Sequence, residues 1–273
     1  MPIMIDAIFL FACFCFLYGL MLLVKEWFNK EASALSLPTL YSTGARVAIA
    51  MFFFIFIPWA TQTIGVLLTK SIPNSVDKIL WLALLGESSL ALYILFLLKN
   101  SPRITSNMTQ KVNKISRLFT DIFEGYCQCL PLLFGVTLFW KFVVELLQRL
   151  GLPVSFDQQP IIQLLAHSKP HIASIFAISI CVVLLAPLCE EIFFRGFILR
   201  FLHSRMNLKK SLWLSSLIFA AIHQHFASFL PLCFLGYWLG RYYIKTRCIW
   251  TNIGIHALFN GTNLWLVLTL PEL

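Results

Sequence analysis

Ala186-Pro187-Leu188-Cys189-Glu190-Glu191-Ile192-Phe193-Phe194-Arg195-Gly196 is the stretch that decides how this chain is read. Two adjacent glutamates and an arginine lie inside an apolar run that extends over 172–199. A charged side chain at the centre of a membrane helix costs about 2.5–3.5 kcal/mol on insertion scales, so these three require partners and a purpose. Glu191 and Arg195 stand four apart with the acid first, the favourable order for a helix ion pair. Glu190 projects about 100° away on a 3.6-residue helix and can face another neighbour. Pro187 removes one backbone donor and is expected to orphan the carbonyl of Val183, a kink tolerated in a membrane where protein or water re-satisfies the group. A purely structural clamp explains Glu191 and Arg195 but leaves Glu190 as a second, unpaired carboxylate.

Outward from this stretch the chain stays apolar. Of its 273 residues 59% are hydrophobic and 12% are charged, with mean hydropathy +0.81. A soluble domain is about 25% charged. The composition therefore predicts an all-α, polytopic membrane protein. A span needs about 20 mostly apolar residues. Eight runs qualify: 4–24, 47–68, 79–98, 123–147, 172–199, 211–228, 229–244 and 249–268. The sixth and seventh are short and nearly continuous, and a tight hairpin is expected at Pro231 between them. Gly236 and Gly240 make a small-xxx-small pair suited to close helix packing.

The net charge of +9 raises nucleic acid as a partner, but the basic residues cluster in loops between apolar runs. Loops one, three, five and seven carry three, five, four and three Lys or Arg; loops two, four and six carry two, two and none. That positive-inside pattern accounts for the charge without nucleic acid. It predicts both termini on the non-cytoplasmic side of a multi-pass protein, the plasma membrane if the cell is bacterial, with lipids as its surroundings. Asp6 is the first charge and Lys25 follows the first apolar run directly, so that run reads as a retained helix, not a cleaved signal. The polar, basic segment 99–118 divides N-terminal helices (1–120) from a C-terminal bundle (121–273), and could rest on anionic headgroups; 148–171 is a second polar stretch. The eight cysteines form no CxxC and read as small core or lipid-facing residues. Lys141 and Glu145 can pair on one helix face. Glu87 lies in the third span with no evident partner, and Asp6 fits an interface.

His223 follows Phe219 by one turn in the sixth run, and His256 and Asn260 share a face of the eighth. His225, two residues from His223, points to a nearly opposite face and reads as structural; His167, His171 and His203 are in or near loops. Counted from the cytoplasmic ends at about 1.5 Å per residue, Glu190 is roughly 15 Å deep, His223 roughly 18 Å, and His256 and Asn260 roughly 10–17 Å. A topology drawn from Lys and Arg alone thus brings four polar groups to one level. A carboxylate with two imidazoles and an amide, buried but reachable from water, suits hydrolysis: the carboxylate as general base, imidazole and amide as donors to an oxyanion. The same groups could instead hold Zn²⁺, which would itself activate the water. Neither HExxH nor GxSxG is present.

Ala-Pro-x-x-Glu-Glu-x-x-x-Arg-Gly at 186–196 resembles the first motif of the CPBP family, the CAAX-protease and bacteriocin-processing (Abi) intramembrane proteases. Phe219-x-x-x-His223 is similar to the second motif, His256-x-x-x-Asn260 to the third, and Gly236-x-x-x-Gly240-x-x-Tyr243-x-x-Thr246 to the segment between them. The resemblance covers 172–268 and implies an endopeptidase acting on prenylated or leader-type protein substrates. It implies that Glu190 activates water with His223 assisting, that His256 and Asn260 form the oxyanion hole, and that Glu191 and Arg195 hold the first motif in place. Family members are described both as metalloproteases and as glutamate-centred enzymes, so the resemblance names no metal, and it leaves the oligomeric state open. Two rivals remain. A non-catalytic immunity or regulatory scaffold would not need all four polar groups, and a proton-coupled transporter using Glu87, Glu190 and Lys141 would carry an internal repeat that is absent here.

Overall fold

The computed structural model describes residues 2–28, 40, 44–69, 76–100, 115–154, 165 and 170–269, without the side chains of 2–10, 24 and 26–28. The Asp6 side chain, His167, residues 101–114 of the basic segment, and most of 148–171 lie outside the described residues.

The described chain folds into eight helices: α1 Pro2–Phe28, α2 Gly44–Leu68, α3 Val76–Asn100, α4 Ile115–Arg149, α5 Ile172–His203, α6 Leu208–Ile222, α7 Phe226–Thr246 and α8 Ile249–Thr269. Helix is the form in which an apolar segment satisfies its own backbone without water. Large apolar side chains accordingly face outward; Phe52, Ile55 and Trp59 on α2 and Leu92, Leu95 and Phe96 on α3 are exposed. The protein is an integral membrane protein.

Among the described residues four helices, α2 to α5, are long and apolar enough to cross a bilayer, and the described side chains of α1 include a shorter apolar stretch, Phe11–Leu23. The expected eight spans are therefore not all borne out. α6 has 15 residues, about 22 Å of helix against a hydrocarbon core of about 30 Å. α7 and α8 are 21 residues each, but Arg241 and Lys245 dilute the first, and Asn252, His256, Asn260 and Asn263 the second.

The hairpin also differs from the expectation. The break between α6 and α7 falls at 223–225, and Pro231 lies inside α7. Reversal needs a residue in the left-handed region, and Gln224 supplies it with φ 50°. Pro231 removes only the donor to the carbonyl four residues earlier, a loss that membrane helices absorb.

α5 is the axis of the bundle. α3 packs along its first half, α8 against its middle, and α6 beside its second half. Phe54 of α2 stacks on Phe193 with ring centroids 4.0 Å apart, and Phe194 meets Phe219 edge-on at 5.1 Å. A second core joins α1, α4, α7 and α8 through Cys15, Tyr126, Cys127, Trp238, Tyr242 and Ile255. All eight cysteines are free thiols. Among the described residues no ion pair joins Lys141 to Glu145, and Lys141 is exposed.

Close approach depends on missing side chains at a few points. The expected packing role of Gly236 and Gly240 is met: a Cβ on Gly236 would come within 3.3 Å of the Ser216 backbone, and one on Gly240 would meet Leu212 of α6. Gly125 of α4 accepts the Trp238 indole N–H on its carbonyl at 3.1 Å, and a Cβ there would run into Ile255 and Tyr242. Gly135, further along the same helix, faces open space. Gly125→Val should therefore lower stability by about 1–3 kcal/mol, the usual cost of overpacking, while Gly135→Val should not. Thermal unfolding of the two variants in the same detergent separates them.

Candidate active site

The site begins with an irregularity in α5. Two π-helical stretches, Ile180–Leu185 and Ile192–Ile198, flank the α-helical segment Ala186–Glu191. In the first, the Ala186 N–H bonds the Cys181 carbonyl, five residues back. In that register the donor missing at Pro187 would have served Val182, so the expected orphan at Val183 moves by one residue. Asn260 of α8 donates its side-chain amide to the Val182 carbonyl at 2.9 Å. This is the re-satisfaction that a kinked membrane helix requires. π-bulges of this kind occur frequently at functional sites.

The two glutamates then part company. Glu191 has no exposed surface and Arg195 is 2% exposed. Arg195 Nη1 donates to Glu191 Oε1 at 2.7 Å, and Nη2 donates to the Gly236 carbonyl at 2.9 Å. The guanidinium also lies over the Phe219 ring, 5.0 Å from its centroid. His256 Nδ1 meets Glu191 Oε1 at 2.9 Å. Because the ionised carboxylate only accepts, the imidazole donates there. Asn252 donates to Glu191 Oε2 at 3.3 Å and to the Leu239 carbonyl at 2.5 Å. Both oxygens of Glu191 are thus engaged by an arginine, an imidazole and an amide.

Glu190 keeps 17% of its side chain exposed. Its Oε2 is buried without a hydrogen-bond partner and stands 3.9 Å from His256 Nε2. One imidazole therefore spans both carboxylates: Nδ1 locked to Glu191, Nε2 turned to Glu190.

His223 joins less directly. Its Nδ1 lies 2.7 Å from the Phe219 carbonyl, one turn earlier, which it can only meet as a donor. Nε2 is then left as an acceptor. The Phe219 ring is the shared neighbour, 4.9 Å from the His223 ring and 6.1 Å from that of His256. Asn260 has committed one amide hydrogen to Val182 and retains a second. His225 bonds Ser228 at 2.9 Å, and His171 caps the start of α5 through the Ala173 N–H at 3.3 Å. Among the described residues no three His, Cys, Asp or Glu side chains converge as a metal ion would require.

Residues 172–262 match the family described as type II CAAX prenyl endopeptidase, Rce1-like. This segment, a third of the chain, is similar to that family, in keeping with the CPBP resemblance carried by its motifs. No curated protein and no solved structure matches the chain. The CPBP segment contains Glu190, Glu191, Arg195, His223, His256 and Asn260. It also contains Asn252, which sequence reasoning passed over. The signal was there: Asn252, His256 and Asn260 are spaced by four in an apolar helix, one polar stripe along one face.

The clamp within this domain has a measurable consequence. Arg195→Met keeps the length of the side chain but leaves Glu191 buried without its cation. Breaking a buried pair from one side costs about 3–5 kcal/mol. The variant should melt well below wild type, and Arg195→Met combined with Glu191→Leu should recover part of the loss.

Proposed function

We propose that this protein hydrolyses peptide bonds in membrane-associated protein substrates, of the prenylated or leader-peptide kind, with Glu190 activating the water. The observation that carries this reading is the division of labour between two neighbouring carboxylates. Glu191 is saturated with donors, whereas among the described residues no side chain donates to Glu190, which stands beside an oriented imidazole and keeps part of its side chain exposed.

In this scheme Glu190 takes a proton from water as the oxygen bonds to the scissile carbonyl carbon. His256 is held by Glu191 so that Nε2 faces the reaction. Passed on from Glu190, that one proton turns Nε2 into a donor for the oxyanion, with the second amide hydrogen of Asn260 as its companion. His223, whose Nε2 is an acceptor, assists in removing the water proton. The tetrahedral intermediate collapses with cleavage of the C–N bond, and the stored proton leaves with the amine. Glu191 and Arg195 take no proton. They orient the imidazole, as the buried carboxylate does in a serine-protease triad.

The test works without a chosen substrate. Peptide termini in the membrane proteome are compared between cells carrying wild type and cells carrying Glu190→Gln. The reading predicts termini that are present with wild type and lost with the variant, and the lost termini name the substrate. Identical termini at equal protein levels would instead favour a scaffold that retains the fold without cleavage.

A further inference from the structure

Glu87 lies outside the CPBP segment and outside every step above. It sits on α3, the helix that packs along the first half of α5 and against the Ala186–Glu191 segment. Its Oε2 is buried and has no hydrogen-bond partner among the described residues. The same is true of Glu190 Oε2. The two carboxylates act on each other electrostatically, and both act on Cys181, inside the first π-helical stretch, and on Cys189, in the α-helical segment after it. On the α5 side, then, the groups near enough to act on Glu87 or be acted on by it are one acid and two thiols. From α2, its other neighbour, Gln62 approaches the adjoining Gly86, and the one charged residue of that helix is Arg46 at its far end.

Two buried acceptor-only groups close enough to feel each other's charge repel, and neither satisfies the other. A proton on one of them converts it into a donor and removes both defects. Glu190 is the member that touches His256, whose Nδ1 is already committed. The proton therefore belongs on the member outside that network.

We propose that Glu87 is a positioning residue for Glu190: its neutral carboxylic acid donates an O–H to Glu190 Oε2, directly or through one water, and so fixes which oxygen of Glu190 remains to receive the proton of the nucleophilic water. The assignment of a catalytic role to Glu190 is the proposed function above. The hydrogen-bonded acid pair stands without it.

The pair has a signature that a merely space-filling Glu87 lacks. In full-length protein reconstituted in phosphatidylcholine vesicles, infrared spectra at neutral pH should contain the C=O stretch of a protonated carboxylic acid. Glu87→Gln should abolish that band, and Glu190→Gln should shift it, because its acceptor has changed. A band missing from wild type, or surviving Glu87→Gln, or unmoved by Glu190→Gln, overturns the proposal, whatever the protein cleaves. In cells, termini that depend on Glu190 should persist with Glu87→Gln, whose amide still donates, and fall at least tenfold with Glu87→Leu at equal protein level. Should Glu87→Leu cleave as wild type while Glu190→Gln is dead, the positioning role falls and the hydrolytic reading stands. If no termini depend on Glu190, the hydrolytic reading falls, and the positioning role with it, even where the infrared band establishes the acid pair.

Discussion

The buried pair Glu191–Arg195 is the constraint on which the rest of the site depends. An arginine and a glutamate without solvent access are tolerable only when every donor and acceptor is met. The requirement reaches across three helices. Arg195 draws in the Gly236 carbonyl of α7, and Glu191 draws in Asn252 and His256 of α8. Gly236 serves twice, since the missing side chain lets α6 approach while the carbonyl caps the guanidinium. Satisfying one charge pair thereby fixes α7 and α8 against α5 and aims a single imidazole.

The adjacent Glu190 is the by-product of that arrangement. On a helix, neighbours in sequence face different directions. Saturating one carboxylate therefore leaves the other pointing elsewhere, with a free oxygen near His256. A structural clamp and a candidate base can thus share one dipeptide without competing for partners. The π-helical turns on either side follow the same logic. The first displaces the orphan carbonyl created by Pro187 to Val182, within reach of Asn260, so that a residue expected in an oxyanion hole also secures the kink.

Much of this was legible in the sequence because helical spacing is a rigid ruler. Glu191 with Arg195, His256 with Asn260, and Gly236 with Gly240 all stand four apart, and each pair behaves as that spacing requires. The length and polarity of the runs reveal a helical membrane protein, but eight spans are not all borne out, because α8 is made polar by the site it carries and α6 is simply short. The register shift at Val182 was not legible, since nothing in the residue types distinguishes a π turn from an α turn. Nor was the hairpin break at Gln224, where a bulky polar residue takes the left-handed conformation usually left to glycine or asparagine. Glu87 is a different case: its charge was plain, but its opposite number lies about a hundred residues away, and only packing of α3 on α5 brings the two together.

The central claim is that two consecutive glutamates do opposite work, one holding the bundle and one left free for chemistry. Unfolding of purified Glu190→Gln and Glu191→Gln in one detergent tests it most directly. The account predicts that Glu191→Gln is destabilised on the order of 3–5 kcal/mol, because Arg195 is left without its anion. Glu190→Gln should unfold at or above the wild-type temperature, since Glu190 has no part in the clamp and the variant's amide oxygen can still accept the proposed bond from Glu87. Equal destabilisation of the two variants, or a loss confined to Glu190→Gln, would contradict the division between them.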